Sequence, residues 1–276
     1  MDHDEVIALF DTTMRREAVA DAPGARVERA GHVVRQVSAG PTASAWEGVL
    51  WSGLTEDTAD AAIAAEVARF AALGREFEWK VYGHDRPRDL PERLRAAGFA
   101  PGESETLMVA ETAALATSVP PPEGVELRPV TDADGVGLLA EVHREAFGGP
   151  LSEGLLRSLT ARFGEGAGAG RPAAGEAAGQ VVAVLAVAGG RPVSAARVDL
   201  TPGAPFAGLW GGGTVPDWRG RGVYRALVAY RAALAAGRGY RYVYADASHA
   251  SRPILARLGF QALAVTTPFV HAPVAR

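Results

Sequence analysis

Gly211-Gly212-Gly213-Thr214-Val215-Pro216-Asp217-Trp218-Arg219-Gly220-Arg221-Gly222-Val223-Tyr224-Arg225-Ala226-Leu227 is the stretch that decides the fold. Three consecutive glycines in a strand-like run, Leu209 to Val215, give up side-chain packing, which a strand tolerates where another backbone or a ligand approaches closely. A flat acyl chain suits such a gap. Pro216 then closes the run, Arg219 and Arg221 alternate with Gly220 and Gly222, and a helical pattern from Gly222 to Ala236 follows at once. Unbonded amides at that helix start, together with the positive end of its dipole, make an anion site suited to a pyrophosphate.

Outward from this stretch, the chain has 276 residues, room for about two domains. The cluster Ser118-Val119-Pro120-Pro121-Pro122-Glu123-Gly124 continues neither a helix nor a central strand, so the reading divides the chain into 1–118 and 119–276. In the first half, helical spacing covers Glu5 to Ala18 and a strand Ala45 to Leu50. Thr55 caps a helix from Glu56 to Leu73 that Gly74 ends, and a strand follows at Phe77 to Tyr82. A short helix, Leu90 to Ala97, stops at Gly98 before a strand at Glu105 to Ala110.

The second half opens with a strand, Val125 to Val130. Thr131 and Asp132 cap a helix to Phe147, and Ser152 begins another to Phe163. Gly164 to Gly179, almost all Gly, Ala, Pro and Glu, reads as a mobile loop. Val181 to Ala188 and Pro192 to Leu200 flank Gly189-Gly190 as a hairpin. After the glycine-broken strand and its helix come a strand at Tyr240 to Ala245, a helix at Ser251 to Leu258, and paired strands to His271. The endings Arg95-Ala96-Ala97-Gly98-Phe99 and Arg257-Leu258-Gly259-Phe260 put two Gly-Phe pairs 161 residues apart. An aromatic strand and a long helix precede both, so the halves read as a diverged repeat of one α/β unit.

Composition excludes several chemistries. There is no cysteine, which removes disulfides, thiol nucleophiles and cysteine-ligated clusters. There is no asparagine, and Lys80 is the one lysine, which argues against a phosphate-loop lysine or a Schiff base. A net charge of −4 gives no global basic field for nucleic acid. The longest apolar run, Val181 to Ala188, is too short to span a bilayer, and the acidic N-terminus lacks the features of a signal peptide. A cytoplasmic protein without nucleic-acid or membrane partners is expected.

Arg219-Gly220-Arg221-Gly222-Val223-Tyr224 resembles the Arg/Gln-x-x-Gly-x-Gly/Ala signature of the GNAT acetyltransferase superfamily, with Tyr224 in place of the final small residue. The resemblance extends over Val243 to Phe260 and the order of strands from Val125 onward. Phe77 to Asp85 looks like part of the degenerate N-terminal half of tandem GNAT proteins. The fold implied is two GNAT-like halves, each a mixed, mostly antiparallel sheet flanked by helices. The cofactor implied is acetyl-CoA, as co-substrate, with an amine of a small molecule as acceptor and no metal. On this resemblance Gly213, Thr214, Val215, Arg219, Gly220, Arg221, Gly222, Val223, Tyr224, Arg225, Ser248 and Ser251 would hold CoA. A backbone N–H near Thr214 or Val215 would receive the thioester oxygen.

Many members use a tyrosine on the last short helix as acid, and Leu255 takes that place here; the frequent asparagine falls on Ser248. Asp246 or His249 would then be the base, and Tyr224 or Ser251 would reach the sulfur. Asp199 is another candidate base, and Tyr244 stands out among the alternating Tyr240, Tyr242 and Tyr244. His249 also reads as a turn residue and Ser251 as an N-cap. The acceptor cleft is expected between the halves, roofed by the helices from Asp132 to Phe163 and the Gly164–Gly179 loop. At the equivalent junction of the first half, Ser52 to Asp57, Glu56 and Asp57 would repel a phosphate, so one CoA per chain is expected. The rival reading is a non-catalytic acyl-CoA sensor or interaction module; a solvated Gly/Arg loop and a Rossmann site fit the residues less well.

Overall fold

Twelve strands form one sheet among the residues that the computed structural model describes, 1–22, 24–38, 46–164 and 179–273. The first half supplies β1 (Ala25–Ala30), β2 (Val33–Ser38), β3 (Gly48–Ser52), β4 (Phe77–Tyr82), β5 (Ala100–Pro101) and β6 (Glu105–Glu111). The second supplies β7 (Val125–Pro129), β8 (Gln180–Ala188), β9 (Arg191–Leu200), β10 (Phe206–Thr214), β11 (Tyr242–Ala247) and β12 (Gln261–His271). The helices are α1 (His3–Phe10), α2 (Ala59–Leu73), α3 (Leu90–Ala96), α4 (Ala133–Phe147), α5 (Glu153–Phe163), α6 (Val223–Gly237) and α7 (Arg252–Arg257). The α/β class with a mixed, mostly antiparallel sheet and flanking helices is as expected.

The strand order is β1-β2-β3-β4-β12-β6-β11-β10-β9-β8-β7, with β5 beside β12. Each half makes one parallel pair across a long helix, β3–α2–β4 and β10–α6–β11. The final strands are then exchanged: β6 of the first half pairs with β11 of the second, and β12 pairs with β4. The two exchanged strands meet each other at the centre. Each covers an edge that the other half would leave unpaired, so the sheet runs unbroken across the 118/119 boundary.

Period-2 alternation sorts the two faces. Phe77, Trp79 and Val81 of β4 pack with Phe70 of α2 and Leu94 of α3, and Val243, Ala245 and Ala247 pack with Val228 of α6 and Leu255 of α7. The opposite face presents Lys80 and Tyr82 of β4, Tyr242, Tyr244 and Asp246 of β11, and Trp210 of β10. On this side Phe10 of α1 meets Phe206 and Tyr244 edge to face, at centroid distances of 5.2 and 5.0 Å. The helix ends follow local chemistry. Asp2 accepts from the amides of Asp4 and Glu5, Asp132 accepts from that of Gly135, and Gly74 at φ +65° closes α2.

Several expectations change. The β1–β2 hairpin was not anticipated, because Val27 to Val37 shows no strict apolar-polar alternation. The region after Gly259 is a single eleven-residue strand, not a strand pair, because its first part pairs with β6 and its last part with β4. The helix expected over Glu5–Ala18 is α1 followed by a π-helical segment, Asp11–Arg16. Residues 165–178 of the expected Gly164–Gly179 loop, and Ala45, lie outside the described residues.

Candidate active site

The triple-glycine stretch forms a bulge. Trp210 pairs with Arg197 and Gly213 with Ala195, so Gly211 and Gly212 together oppose the single residue Ala196 of β9, with Gly211 at φ +60°. A Cβ on Gly212 would come within 2.8 Å of the Tyr224 ring on α6, and one on Gly213 within 2.6 Å of Phe147 on α4. Both faces of the bulge are therefore closed to any larger residue. Pairing of β10 with β11 covers Phe206 to Gly208 only, and beyond it the two strands separate.

Amide directions alternate along a strand, and this assigns the donor facing the gap. The Val215 amide donates to the Val193 carbonyl at 3.0 Å. Thr214 therefore turns its N–H to the other edge, toward the space β11 has left, and of the two amides expected there Val215 is already engaged. Ser194 Oγ donates to the Gly213 carbonyl at 2.6 Å and lies 2.8 Å from Thr214 Oγ1, fixing this end of β10.

The loop into α6 is held open by glycine. Gly220 and Gly222 sit at φ +73° and +86°, and Gly222 caps α6 with no side-chain hydrogen bond and no acidic residue in the first turn. A Cβ on Gly220 would meet nothing within 4 Å. Arg221 is exposed, with its guanidinium 4.8 Å from the Trp218 ring centre, and Arg225 is exposed. Arg219 is committed to structure: Nε donates to the Thr214 carbonyl at 3.1 Å and Nη2 to the Ala146 carbonyl at 2.8 Å. Val223 is buried in the core. The open amides, the two exposed arginines and the glycine cradle fit a pyrophosphate.

Tyr224 faces Arg231 of α6, and burial pushes its hydroxyl above the ordinary range. Arg231 is 1% exposed and donates to the carbonyls of Leu227 at 3.0 Å and Arg197 at 3.1 Å. Burial without a carboxylate partner pushes its guanidinium down to about 10. Leu255 is buried in the core. Ser248 and Ser251 lie 3.2 Å apart, and Ser248 Oγ accepts from the Ser251 amide at 3.3 Å, so these hydroxyls organise the turn into α7; His249 is exposed. Tyr240 donates to the Thr201 carbonyl at 3.0 Å, and Tyr242 is buried.

Asp246 sits on β11 beyond its last pairing with β10, on the face opposite α6. Its side chain is 2% exposed; Oδ2 pairs with Lys80 Nζ from β4, and Oδ1 has no hydrogen-bond partner. Burial works against the Lys80 charge, but Asp246, with Glu78 and Glu105 beyond it, outweighs burial and holds the ammonium above its ordinary range. This ion pair joins residues 166 apart in sequence, one from each half. It lies in a cavity of about 390 Å³ that Asp199, Trp210 and Tyr244 also line. Asp199 is paired with Arg197 Nε at 3.2 Å.

The cavity is lined by residues of both halves, and Gly179, at the end of the expected Gly164–Gly179 loop, is among them. Phe10, Met14 and Arg15 cover the cavity, not residues 132–163, because α4 turns Val136, Leu139 and Val142 into the core of the second half. Arg15 pins this roof by binding Asp11 and Asp85, both at 2.7 Å, with its guanidinium 3.9 Å from the Tyr82 ring centre. Sequence reading missed Lys80 as a site residue. Its one signal was being the sole lysine, and nothing local links it to Asp246. Among the described residues no group of three or more His, Asp or Glu side chains is placed to hold a metal, and no helix is long and apolar enough to cross a membrane.

Residues 140–260 match the model of the acetyltransferase (GNAT) family. No curated protein matches the chain. Among solved structures, a GCN5-related N-acetyltransferase from Kribbella flavida is similar at TM-score 0.66 and 18% identity, over 96% of this chain and 94% of that one. A tandem GNAT protein from the clavulanic acid biosynthesis pathway is similar at TM-score 0.60 and 15% identity, over 92% and 86%. A GCN5-related N-acetyltransferase from Sphaerobacter thermophilus is similar at TM-score 0.56 and 16% identity, over 97% and 84%. These likenesses span both halves, whereas the family model lies in the second.

Proposed function

The chain belongs to the GNAT superfamily through its C-terminal half, and we propose that it transfers an acetyl group from acetyl-CoA directly to the amine of a small molecule. One observation carries this reading. β10 pairs with β11 only as far as Gly208, α6 starts beyond the end of β10 with no side-chain cap, and Asp246, past that last pairing on β11, lines a cavity. Residues 1–118 and 119–276 then act as two units with exchanged final strands, and only the second takes CoA. Acetyl-CoA would bring an activated acyl thioester, its pyrophosphate received by the amides of Gly222, Val223 and Tyr224 with Arg221 and Arg225 adding charge. Gly213 and Thr214 would border the thioester, and Ser248 and Ser251 would border the pantetheine arm.

On this reading Asp246 takes a proton from the incoming ammonium through Oδ1, directly or through one water, leaving the neutral amine to attack the acyl carbon. Lys80 holds Oδ2 of that carboxylate and leaves Oδ1 to face the amine. The Thr214 N–H stabilises negative charge developing on the carbonyl oxygen. The departing CoA thiolate takes, through water, the second proton that the nitrogen sheds as the amide forms, since Leu255 has none to give and Tyr224 is turned to Arg231. The test is release of free CoA thiol from acetyl-CoA with a panel of small amines. Asp246→Asn should lower kcat about 10²–10⁴-fold while CoA affinity is retained. The buried Leu255 favours a second reading, an acyl-CoA sensor, and tight acetyl-CoA binding without turnover over the whole panel would establish it instead.

A further inference from the structure

We propose that the cavity selects a primary amine that enters as a cation and carries a flat apolar body. The proposal rests on the transfer reading for the fate of the amine, and on the cavity itself for its binding.

Charge is the first argument. Among the described residues, five carboxylates line the cavity, Asp21, Glu78, Glu105, Asp199 and Asp246, against three cations, Arg15, Lys80 and Arg197. Arg15 is already neutralised by Asp11 and Asp85, and Arg197 by Asp199. That leaves Lys80 as the one ammonium among Asp246, Glu78 and Glu105. Neither Glu78 nor Glu105 has an ion-pair partner among the described residues; Glu78 instead accepts from Trp46 Nε1 at 3.0 Å. Burial, outweighing the pull of Lys80, raises the Glu105 carboxyl above its ordinary value, so a second cation there would meet an unmet demand.

The second argument is independent of the charge count. Asp246 is nearly fully buried and lines the cavity, yet its Oδ1 lacks a hydrogen-bond partner. A buried acceptor left unmade is costly, and an entering ammonium supplies three donors. This atom lies on β11 past the point where β10 departs, so an ammonium on it stands at the mouth of the acyl gap.

The rest of the wall fixes the body of the ligand. Trp210 meets Tyr244 edge to face at 5.6 Å, and Phe10, Trp46, Leu50 and Leu200 complete an apolar lining. Aromatic faces attract a cation as well as a flat hydrocarbon. A cavity of about 390 Å³ is in the range of small-molecule sites, near the lower end of about 300–1,000 Å³. An acceptor with a free carboxylate is disfavoured by the same carboxylates that favour the amine.

The experiment is calorimetric titration of the whole protein with 2-phenylethylamine, 2-phenylethanol, 3-phenylpropionate and methylamine, with and without saturating CoA, which has no acyl group to transfer. We expect 2-phenylethylamine to bind at least tenfold more tightly than the alcohol and the propionate. Methylamine should bind at least tenfold more weakly than 2-phenylethylamine, and Glu105→Gln should weaken 2-phenylethylamine about tenfold at unchanged CoA affinity. Equal binding of the alcohol or the propionate overturns the cationic selection, and equal binding of methylamine overturns the apolar body. No binding of any probe, with CoA still bound, overturns the cavity assignment and leaves the transferase reading standing. Amine binding in a protein that takes no CoA supports the cavity assignment while removing the transfer reading.

Discussion

The junction after β3 in the first half and the junction after β10 in the second are built on one plan and filled differently. Both strands are bulged against their antiparallel neighbour, at Leu50 in one case and Gly211-Gly212 in the other. Both lead through a parallel crossover into a long helix of fifteen residues. In the first half the Trp51 ring lies against Gly53, the Glu56 carbonyl accepts from Arg93 at 3.0 Å, and Asp60 puts a carboxylate in the first turn of α2. In the second half glycines hold the loop, the helix start has no acidic residue, and arginines stand exposed beside it. The two junctions therefore share a backbone plan, and the proposed anion site rests on what fills it. Emptying the bulge and removing carboxylates from the helix start are what separate the two.

The contrast can be broken most severely where the halves are joined. Lys80→Met leaves Asp246 buried without its cation and should destabilise the protein by about 3–5 kcal/mol, read as the shift in urea midpoint; the double variant Lys80→Met/Asp246→Leu should recover most of that loss. If Lys80→Met costs less than 1 kcal/mol, the pair does not join the halves as described. Next in size is the anion loop. Arg221→Glu should raise the Kd for CoA about tenfold, equivalent to about 1.4 kcal/mol, without changing the melting temperature. Gly222→Trp should weaken CoA further by blocking the amides and straining a φ of +86°.

The first half offers the complementary trial. Calorimetry should give one CoA per chain, and Glu56→Gln should leave both affinity and stoichiometry as they are; a second equivalent site would erase the contrast. The smallest effect is expected at the roof. Burial pushes the Asp11 carboxyl up, but its hydrogen bond to His84 and the Arg15 charge outweigh that and hold it below the ordinary value. A depressed carboxyl stabilises the fold above its unfolded pKa, and the gain is lost as pH falls through its folded pKa. Acid should therefore loosen α1 from the sheet below about pH 4, seen as faster proteolysis near residues 1–16, and Asp11→Asn should be equally loose at neutral pH.

Legibility followed the range of the physics. The helices α2, α3, α4, α5 and α7 were readable from neighbours a few positions apart, although α2 starts at Ala59 after Thr58 and not at Glu56 under a Thr55 cap; so were the β8–β9 hairpin and the glycine-arginine loop. The β1–β2 hairpin escaped because its turn, Gly31-His32, lacks the usual Asn-Gly or Gly-Gly pair. The β12 strand was misread as two because its change of partner, from β6 to β4, occurs inside a continuous extended run. Of the proposed site residues, those in the loop stood out by composition, whereas Ser248, Ser251 and Tyr224 gave no sign of being engaged by one another or by Arg231.

By itself, the sequence determined the α/β alternation, the likeness between halves and the glycine-arginine loop at the start of α6, because each rests on local backbone preference and spacing. Tertiary structure alone decided that the last strands are exchanged, that Lys80 meets Asp246 across 166 residues, and that the N-terminal segment roofs the cavity. These depend on which edge a strand finds and which charge it buries. Such choices are settled by the packing of the whole sheet, and no short window of residues carries them.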